Sequence, residues 1–175
     1  MFLDFALTLT GQKYYRKYYK KHVVIDKYEL NPLFEKEVDK GKYPVKHLIG
    51  VILLSFIIYY LFIIDSDKFI YETTISAILF AYLIVNMNHI NNIFIFKWVG
   101  NDPELVKGKI MYTRKFSYGS NFVSYFSMFI MLLIIFLYVH TSITLGALIA
   151  SFMFIFANLV WFIMIKFKKD RSETD

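Results

Sequence analysis

Residues 73–96 read TTISAILFAYLIVNMNHINNIFIF, and these 24 residues contain no Lys, Arg, Asp or Glu. An α-helix rises about 1.5 Å per residue, so the stretch would be roughly 36 Å long as a helix. That length is enough to cross the hydrocarbon core of a bilayer. Buried helices of soluble proteins seldom continue this far without a charge. The stretch therefore predicts a membrane-spanning helix.

Three further stretches have the same apolar character, approximately residues 47–64, 117–139 and 142–165. The first is the shortest and crosses a bilayer only with its flanking residues included. The whole chain is 57% hydrophobic and 20% aromatic, which is more apolar surface than a soluble domain of this size can bury. We therefore predict an all-α integral membrane protein, with four transmembrane helices in one domain over residues 47–166.

The basic residues divide the loops into two sets. Nineteen of the 20 Lys and Arg lie in residues 11–47, 97–115 and 166–175, and the remaining one is Lys68. Basic loops of membrane proteins stay in the cytoplasm, which predicts both termini on that side. The two short loops opposite would join the helices as two antiparallel hairpins. The same rule explains the net charge of +6, so we do not expect nucleic acid as a partner.

Residues 1–46 form an N-terminal segment of a different kind. Residues 1–10 are apolar but too short to span, and the following cations would be costly in hydrocarbon. In KYYRKYYKK, from Lys13 onward, the four tyrosines fall on one helical stripe and the cations largely on the other. Such stripes are typical of helices at the headgroup boundary. We predict an amphipathic or half-inserted helix on the cytoplasmic side that contacts anionic lipid headgroups, and a basic, polar cytoplasmic tail over residues 167–175.

Polar side chains concentrate toward the predicted cytoplasmic side. The set is Asp4, Thr8, Glu29, Asn31, His47, Asn88, His89, Asn91, Asn92 and Asn158. Asn88, Asn91 and Asn92 share one helical face, which we expect to point into the bundle. Polar groups need partners in hydrocarbon, so the set predicts a polar pocket open to the cytoplasm. The alternative is that these amides and hydroxyls only hydrogen-bond helices together.

Small residues spaced four apart mark a second kind of position. Ala77 and Ala81 have this spacing in the second predicted span, and Gly146 and Ala150 have it in the fourth. Small side chains let helix backbones approach closely within a membrane. We therefore expect these four residues to be helix-packing positions.

Asp4 and Thr8 form an Asp-x-x-x-Thr step, and Glu29, Asn31 and Pro32 form a later Glu-x-Asn-Pro. This combination resembles the N-terminal signature of a family of small, uncharacterised prokaryotic multi-pass membrane proteins. The resemblance covers approximately residues 1–35, and the chain departs from the pattern because its first apolar segment is too short to span. The resemblance implies an archaeal cell membrane as the location and a joint role for the four polar residues. It implies no activity.

Three classes of function remain open. A structural or accessory protein, which binds lipid headgroups, a membrane partner or a second copy of itself, fits the aromatic-basic stripe and the packing positions best. A small transporter or channel subunit is another class, although no Lys, Arg, Asp or Glu lies within the four spans, where ion and proton pathways usually place one.

The remaining class is a membrane-embedded enzyme acting on a lipid or a membrane protein. Asp4, Glu29, His47 and His89 are candidate ligands for a divalent metal that would assist such a reaction. The chain contains neither HExxH nor GxSxG, and it has no Cys. We therefore assign no catalytic residue and expect no cofactor.

Overall fold

The computed structural model describes residues 2–25, 40, 45–63 and 67–172, and most of these residues are helical. The helices are α1 (Phe2–Tyr14), α2 (Val45–Ile63), α3 (Lys68–Asn101), α4 (Arg114–Val139) and α5 (Ser142–Ser172). A wider π-helical turn over Tyr15–Tyr19 continues α1, and a 3₁₀ turn over Pro103–Leu105 follows α3. Two short strands, β1 (Val23–Ile25) and β2 (Ile110–Tyr112), complete the described elements.

Within the described part of the chain, three helices are long and apolar enough to cross a membrane, over Lys68–Asn101, Lys115–Val139 and Ser142–Met164. They contain the second, third and fourth stretches predicted to span. Helix α2 forms at the first predicted span, and its uncharged, mainly apolar part runs from Leu48 to Ile63. At about 1.5 Å per residue this part is roughly 24 Å long, less than the hydrocarbon core. A fourth crossing and the two-hairpin arrangement therefore stay predictions.

Large apolar side chains are exposed on these helices. On α3, for example, Leu83, Phe94 and Trp98 are each more than half exposed. Soluble monomers rarely expose contiguous apolar surface on this scale. In a bilayer such side chains face a solvent as apolar as themselves, so the exposed surface is compatible with a membrane protein.

The chain forms two compact units. The first consists of Met1–Ile64 and Tyr82–Tyr112, and the second of Asp65–Ala81 and Thr113–Asp175. Helix α3 belongs to both, because its first part lies in the second unit and its remainder in the first.

In the first unit the N-terminal segment lies along α3. Tyr15 and Tyr19 pack on Phe96, with ring centroids 5.8 and 4.8 Å from that of Phe96. Gly100 lies so close to Tyr18 that a Cβ there would come within 2.6 Å of the tyrosine ring. Residues later in the N-terminal segment contact residues later in α3, so α1 and α3 run in the same direction.

A parallel ladder closes the first unit. Its register pairs Val23 with Ile110, Val24 with Met111 and Ile25 with Tyr112. The Val23 side chain is buried, and its carbonyl oxygen accepts a hydrogen bond of 3.2 Å from the Tyr15 hydroxyl. The ladder therefore ties the segment after α1 to the connection between α3 and α4.

In the second unit α4 and α5 pack side by side. Ring contacts pair Tyr118 with Trp161, Tyr125 with Phe154 and Phe129 with Phe152. Residue numbers rise along one helix as they fall along the other, so the two helices are antiparallel. The turn between them places His140 in the left-handed region, with φ 45°, and its N–H donates to the Phe136 carbonyl. Histidine tolerates this conformation better than branched residues do.

The start of α5 approaches the start of α3 very closely. A Cβ added to Gly146 would come within 2.5 Å of the Thr73 carbonyl oxygen and 2.7 Å of the Ala77 nitrogen. The Ser142 hydroxyl donates a hydrogen bond of 2.7 Å to the Glu72 carboxylate one turn earlier. Glycine is therefore required at residue 146, because two backbones meet there.

We expect Gly146→Ala to lower the stability of the protein, because the added methyl group would push α3 and α5 apart. Gly119 of α4 is the matched control, since a Cβ there meets nothing within 4 Å. Alanine is favoured over glycine in a helix by about 0.5–1 kcal/mol, so Gly119→Ala should hold or raise stability. Thermal unfolding midpoints in detergent measure both, and equal midpoints would contradict the close approach.

Candidate functional site

A cluster of polar side chains joins α1 to α3 in the first unit. Nε2 of His89 lies 3.1 Å from Oδ1 of Asp4 and 3.1 Å from Oγ1 of Thr8. Thr8 is 4% exposed, and the side chains of His89 and Asp4 are 19% and 20% exposed. The structure thus brings together three of the residues predicted to form the polar pocket.

Helical spacing explains why these residues meet. Asp4, Thr8 and Gln12 are four residues apart and so lie on one face of α1. That face is buried, since Gln12 is only 5% exposed. On α3, His89 and Phe96 are seven residues apart and meet Thr8 and Tyr15, which are also seven apart. Two parallel helices with matching heptad spacing keep such contacts in register.

The hydrogens available at the cluster do not satisfy all of its oxygens. The Thr8 hydroxyl donates to the Asp4 carbonyl oxygen at 3.0 Å, which uses its only hydrogen. An N–H at Nε2 of His89 can then donate to Oγ1 of Thr8. Oδ1 of Asp4 stays buried without a hydrogen bond from any described residue, because its 3.1 Å contact with Nε2 has the distance of an ion pair but not the direction of a hydrogen bond. Buried polar atoms without a donor are uncommon and destabilising.

This geometry differs from that of a catalytic Ser-His-Asp relay. In such a relay the hydroxyl and the carboxylate occupy opposite nitrogens of the imidazole. Here both oxygens approach the same atom, Nε2 of His89. The ring therefore cannot take a proton from Thr8 on one side while Asp4 supports it from the other.

The predicted amide face of α3 lies elsewhere. Asn88, Asn91 and Asn92 are exposed in the structure, whereas the sequence pattern placed them on an inward face. Each residue of a helix turns the side chain by about 100°, so with His89 against α1 its neighbours Asn88 and Asn91 point in other directions. Exposure thus separates these three amides from the buried His89 cluster.

The remaining predicted pocket residues are placed as follows. Asn158, in the second unit, is buried, and its amide donates to the Phe154 carbonyl in the preceding turn of α5, at 2.9 Å. It therefore serves its own helix. Glu29, Asn31 and the side chain of His47 lie outside the described residues.

The predicted packing positions belong to the second unit. Gly146 meets the α3 backbone at Ala77, and Ala150, one turn further along α5, is fully buried. Ala81 is half-buried. The close contact between α3 and α5 thus occurs at Gly146 and Ala77, two of the predicted packing positions.

Sequence reasoning missed Gln12, whose Nε2 is buried without a hydrogen-bond partner among the described residues. The signal for it is its spacing of four from Thr8, which places it on the same face once α1 is known to be buried on that side. The pairing of Glu72 with Ser142 was missed as well, because residues at the starts of two different helices have no sequence spacing that relates them.

Strong metal ligands are few at this site. Within the described ranges, no three His, Cys, Asp or Glu side chains are grouped so that they could hold a metal ion. Of the four ligands proposed from the sequence, Asp4 and His89 come together, and Thr8 adds a hydroxyl oxygen. The cluster therefore offers one imidazole nitrogen, one carboxylate oxygen and one hydroxyl oxygen.

Thr8→Val should lower the free energy of unfolding by about 1–3 kcal/mol, because it leaves His89 without its hydroxyl partner in a buried place. Thr10→Val is the matched control. Thr10 is an exposed threonine of the same helix, and its hydroxyl also donates to the carbonyl four residues earlier, that of Ala6 at 2.7 Å. Unfolding measured in detergent should show little change for Thr10→Val. Similar losses for both variants would mean that the His89 contact contributes nothing.

Comparison with known proteins gives no counterpart of this cluster. No family model matches the chain, no curated protein matches its sequence, and no solved structure matches its fold. Its function is therefore inferred from the geometry of its own residues.

Proposed function

We propose that this chain is a multi-pass membrane protein of structural or accessory type that binds anionic lipid headgroups through its N-terminal segment. The observation that carries the proposal is how this segment is divided. Its tyrosines pack toward α3, with Tyr15 buried and Tyr19 on Phe96. Its cations form an exposed set, the cationic face, which consists of Lys13, Arg16, Lys17, Lys20 and Lys21.

Aromatic rings lie beside two cations of this region. Nζ of Lys17 lies 4.8 Å from the centroid of the Tyr18 ring, and Nζ of Lys97 on α3 lies 5.2 Å from that of Tyr14. A hydrogen bond with Tyr18, followed by Coulombic interaction with the same side chain, raises the pKa of Lys17. Cations held beside aromatic rings at a membrane boundary attract the phosphates of anionic lipids.

Two contacts support the proposed topology of four spans with the basic loops in the cytoplasm. The β1–β2 ladder joins two segments that the charge pattern assigns to the cytoplasmic side. The hydrogen bond between Ser142 and Glu72 joins two segments that it assigns to the opposite side. Contacts of this kind are expected if the four helices run up and down as two hairpins in the cell membrane.

The contacts of α1 also support a half-inserted N-terminal helix. Tyr14 lies beside Lys97, which follows directly after the predicted span, whereas Thr8 lies beside His89, inside that span. Residues before Tyr14 would then enter the bilayer from the cytoplasmic side, and the cationic face would remain at the headgroups. The Asp4–Thr8–His89 cluster would be the described part of the cytoplasm-facing polar pocket.

Replacing Lys13, Lys17 and Lys20 together with Gln should weaken binding of an anionic lipid about tenfold or more, because headgroup binding depends on local positive charge. Native mass spectrometry of the delipidated protein in neutral detergent, with added phosphatidylglycerol or phosphatidylcholine, measures the effect. Wild-type protein should retain more phosphatidylglycerol than phosphatidylcholine.

The matched control replaces Lys107, Lys109 and Lys115 with Gln. These three lysines are also exposed. Lys107 and Lys109 precede α4 and Lys115 lies in its first turn, in a segment that the charge pattern assigns to the same side of the membrane. The control removes the same charge but leaves the cationic face intact, so it should keep most of the phosphatidylglycerol binding. Equal losses for the two triple variants, or equal retention of the two lipids by wild-type protein, would overturn the proposal.

A further inference from the structure

The Asp4–Thr8–His89 cluster offers more electron pairs than hydrogens. The Thr8 hydroxyl gives its hydrogen to the Asp4 carbonyl, so its oxygen faces His89 with a lone pair. Oδ1 of Asp4 is buried and accepts no hydrogen bond from the described residues. When the imidazole carries its proton on Nδ1, Nε2 adds another lone pair. Three acceptor atoms then lie together with no donor between them, which is the environment that a cation requires.

The distances suit a metal ion. Nitrogen and oxygen ligands lie about 2.0–2.2 Å from a zinc-like ion. Neighbouring ligand atoms are then about 2.8–3.1 Å apart in an octahedral arrangement and about 3.3–3.6 Å apart in a tetrahedral one. Nε2 of His89 is 3.1 Å from both Oδ1 of Asp4 and Oγ1 of Thr8. Neighbouring ligands of one metal have this separation without needing a hydrogen-bond direction between them. The misdirected contact of Asp4 with His89 is therefore accounted for.

We propose that His89, Asp4 and Thr8 bind a divalent transition-metal cation, through Nε2, Oδ1 and Oγ1 respectively. An imidazole combined with a carboxylate and a hydroxyl favours ions of the Zn²⁺ and Mn²⁺ type over the harder Mg²⁺ and Ca²⁺. Three protein ligands leave a coordination position for water. Gln12, one turn beyond Thr8 on the same face, has a buried amide N–H without an acceptor among the described residues, and it can donate to such a water.

A bound ion would also explain how ionisable groups persist beside an apolar helix. A carboxylate and an imidazole that leave water lose their hydration, and one misdirected contact does not replace it. A dication neutralises the carboxylate and uses the lone pairs that are otherwise unmatched. The ion would join α1 to α3 through one ligand residue of α3 and two of α1.

The test is metal titration of the purified, chelator-treated protein in detergent, with Zn²⁺ alone and with Mn²⁺ alone. Calorimetry and elemental analysis after desalting give the stoichiometry, and electron paramagnetic resonance of the Mn²⁺ sample detects a nitrogen ligand. We expect one equivalent per chain, a nitrogen coupling, and a higher thermal midpoint with metal. Wild-type protein that binds no stoichiometric metal would overturn the proposal.

Variants locate the site. Asp4→Asn keeps the shape of the side chain and removes its charge, and it should weaken metal binding about a hundredfold, as should His89→Gln, which also removes the nitrogen coupling. Thr8→Val should weaken binding less, about tenfold. Asn92→Ala, an exposed change one turn from His89, is the matched control and should bind as wild-type protein does.

The three ligand variants test the assignment even if one of them does not fold. Should His89→Gln fail to fold, Asp4→Asn and Thr8→Val still test the ligand set, because both nearly preserve side-chain volume. Metal binding that all three variants retain at wild-type affinity would place the ion elsewhere and overturn the assignment. The lipid test depends on other residues, so either proposal can fail while the other stands.

Discussion

A polar side chain on an apolar helix must find its hydrogen-bond partner within the protein, because hydrocarbon offers none. Many of these side chains turn back to a carbonyl of their own helix, as do Ser55, Thr74, Ser124 and Asn158. That solution stabilises one helix and says nothing about its neighbours. Thr8 with His89, and Ser142 with Glu72, reach a different helix instead. These two contacts show that α3 lies beside α1 and beside the start of α5.

Close backbone approach reinforces both of these contacts. One turn after Ser142, Gly146 leaves room for the α3 backbone, and three turns after His89, Gly100 leaves room for the Tyr18 ring. A hydrogen bond between helices fixes their register, and a glycine lets them come near enough to form it. Helix α3 thus meets α5 in one unit and α1 in the other, with a polar contact and a glycine in each.

The sequence was informative about helices and less so about their faces. Charge-free length alone predicted the helices around residues 73–96, 117–139 and 142–165, since a bilayer demands that length. The signature pair Asp4 and Thr8 does lie together, because four residues make about one turn. The inward face of α3 could not be read in the same way. Asn88, Asn91 and Asn92 form the more conspicuous polar stripe. The contact with Thr8 of α1 is nevertheless made by His89, because the partner is an N-terminal helix whose docking depends on aromatic packing at Phe96 and Gly100.

The N-terminal segment changes character where Gln12 gives way to Lys13. Before this point Thr8 and Gln12 are buried, whereas Leu3 and Ala6 are exposed. After it Tyr15 and Tyr19 pack on α3, whereas the cations are exposed. One continuous helical segment therefore carries a polar buried end and a cationic exposed end. An ion that binds Asp4, Thr8 and His89 would also restrict the motion of the cationic face. A face that is already restricted loses less conformational entropy when it binds lipid phosphates. The coupling free energy between two linked binding sites is reciprocal. Lipid bound at the cationic face would therefore also favour binding of the ion at the Asp4–Thr8–His89 cluster.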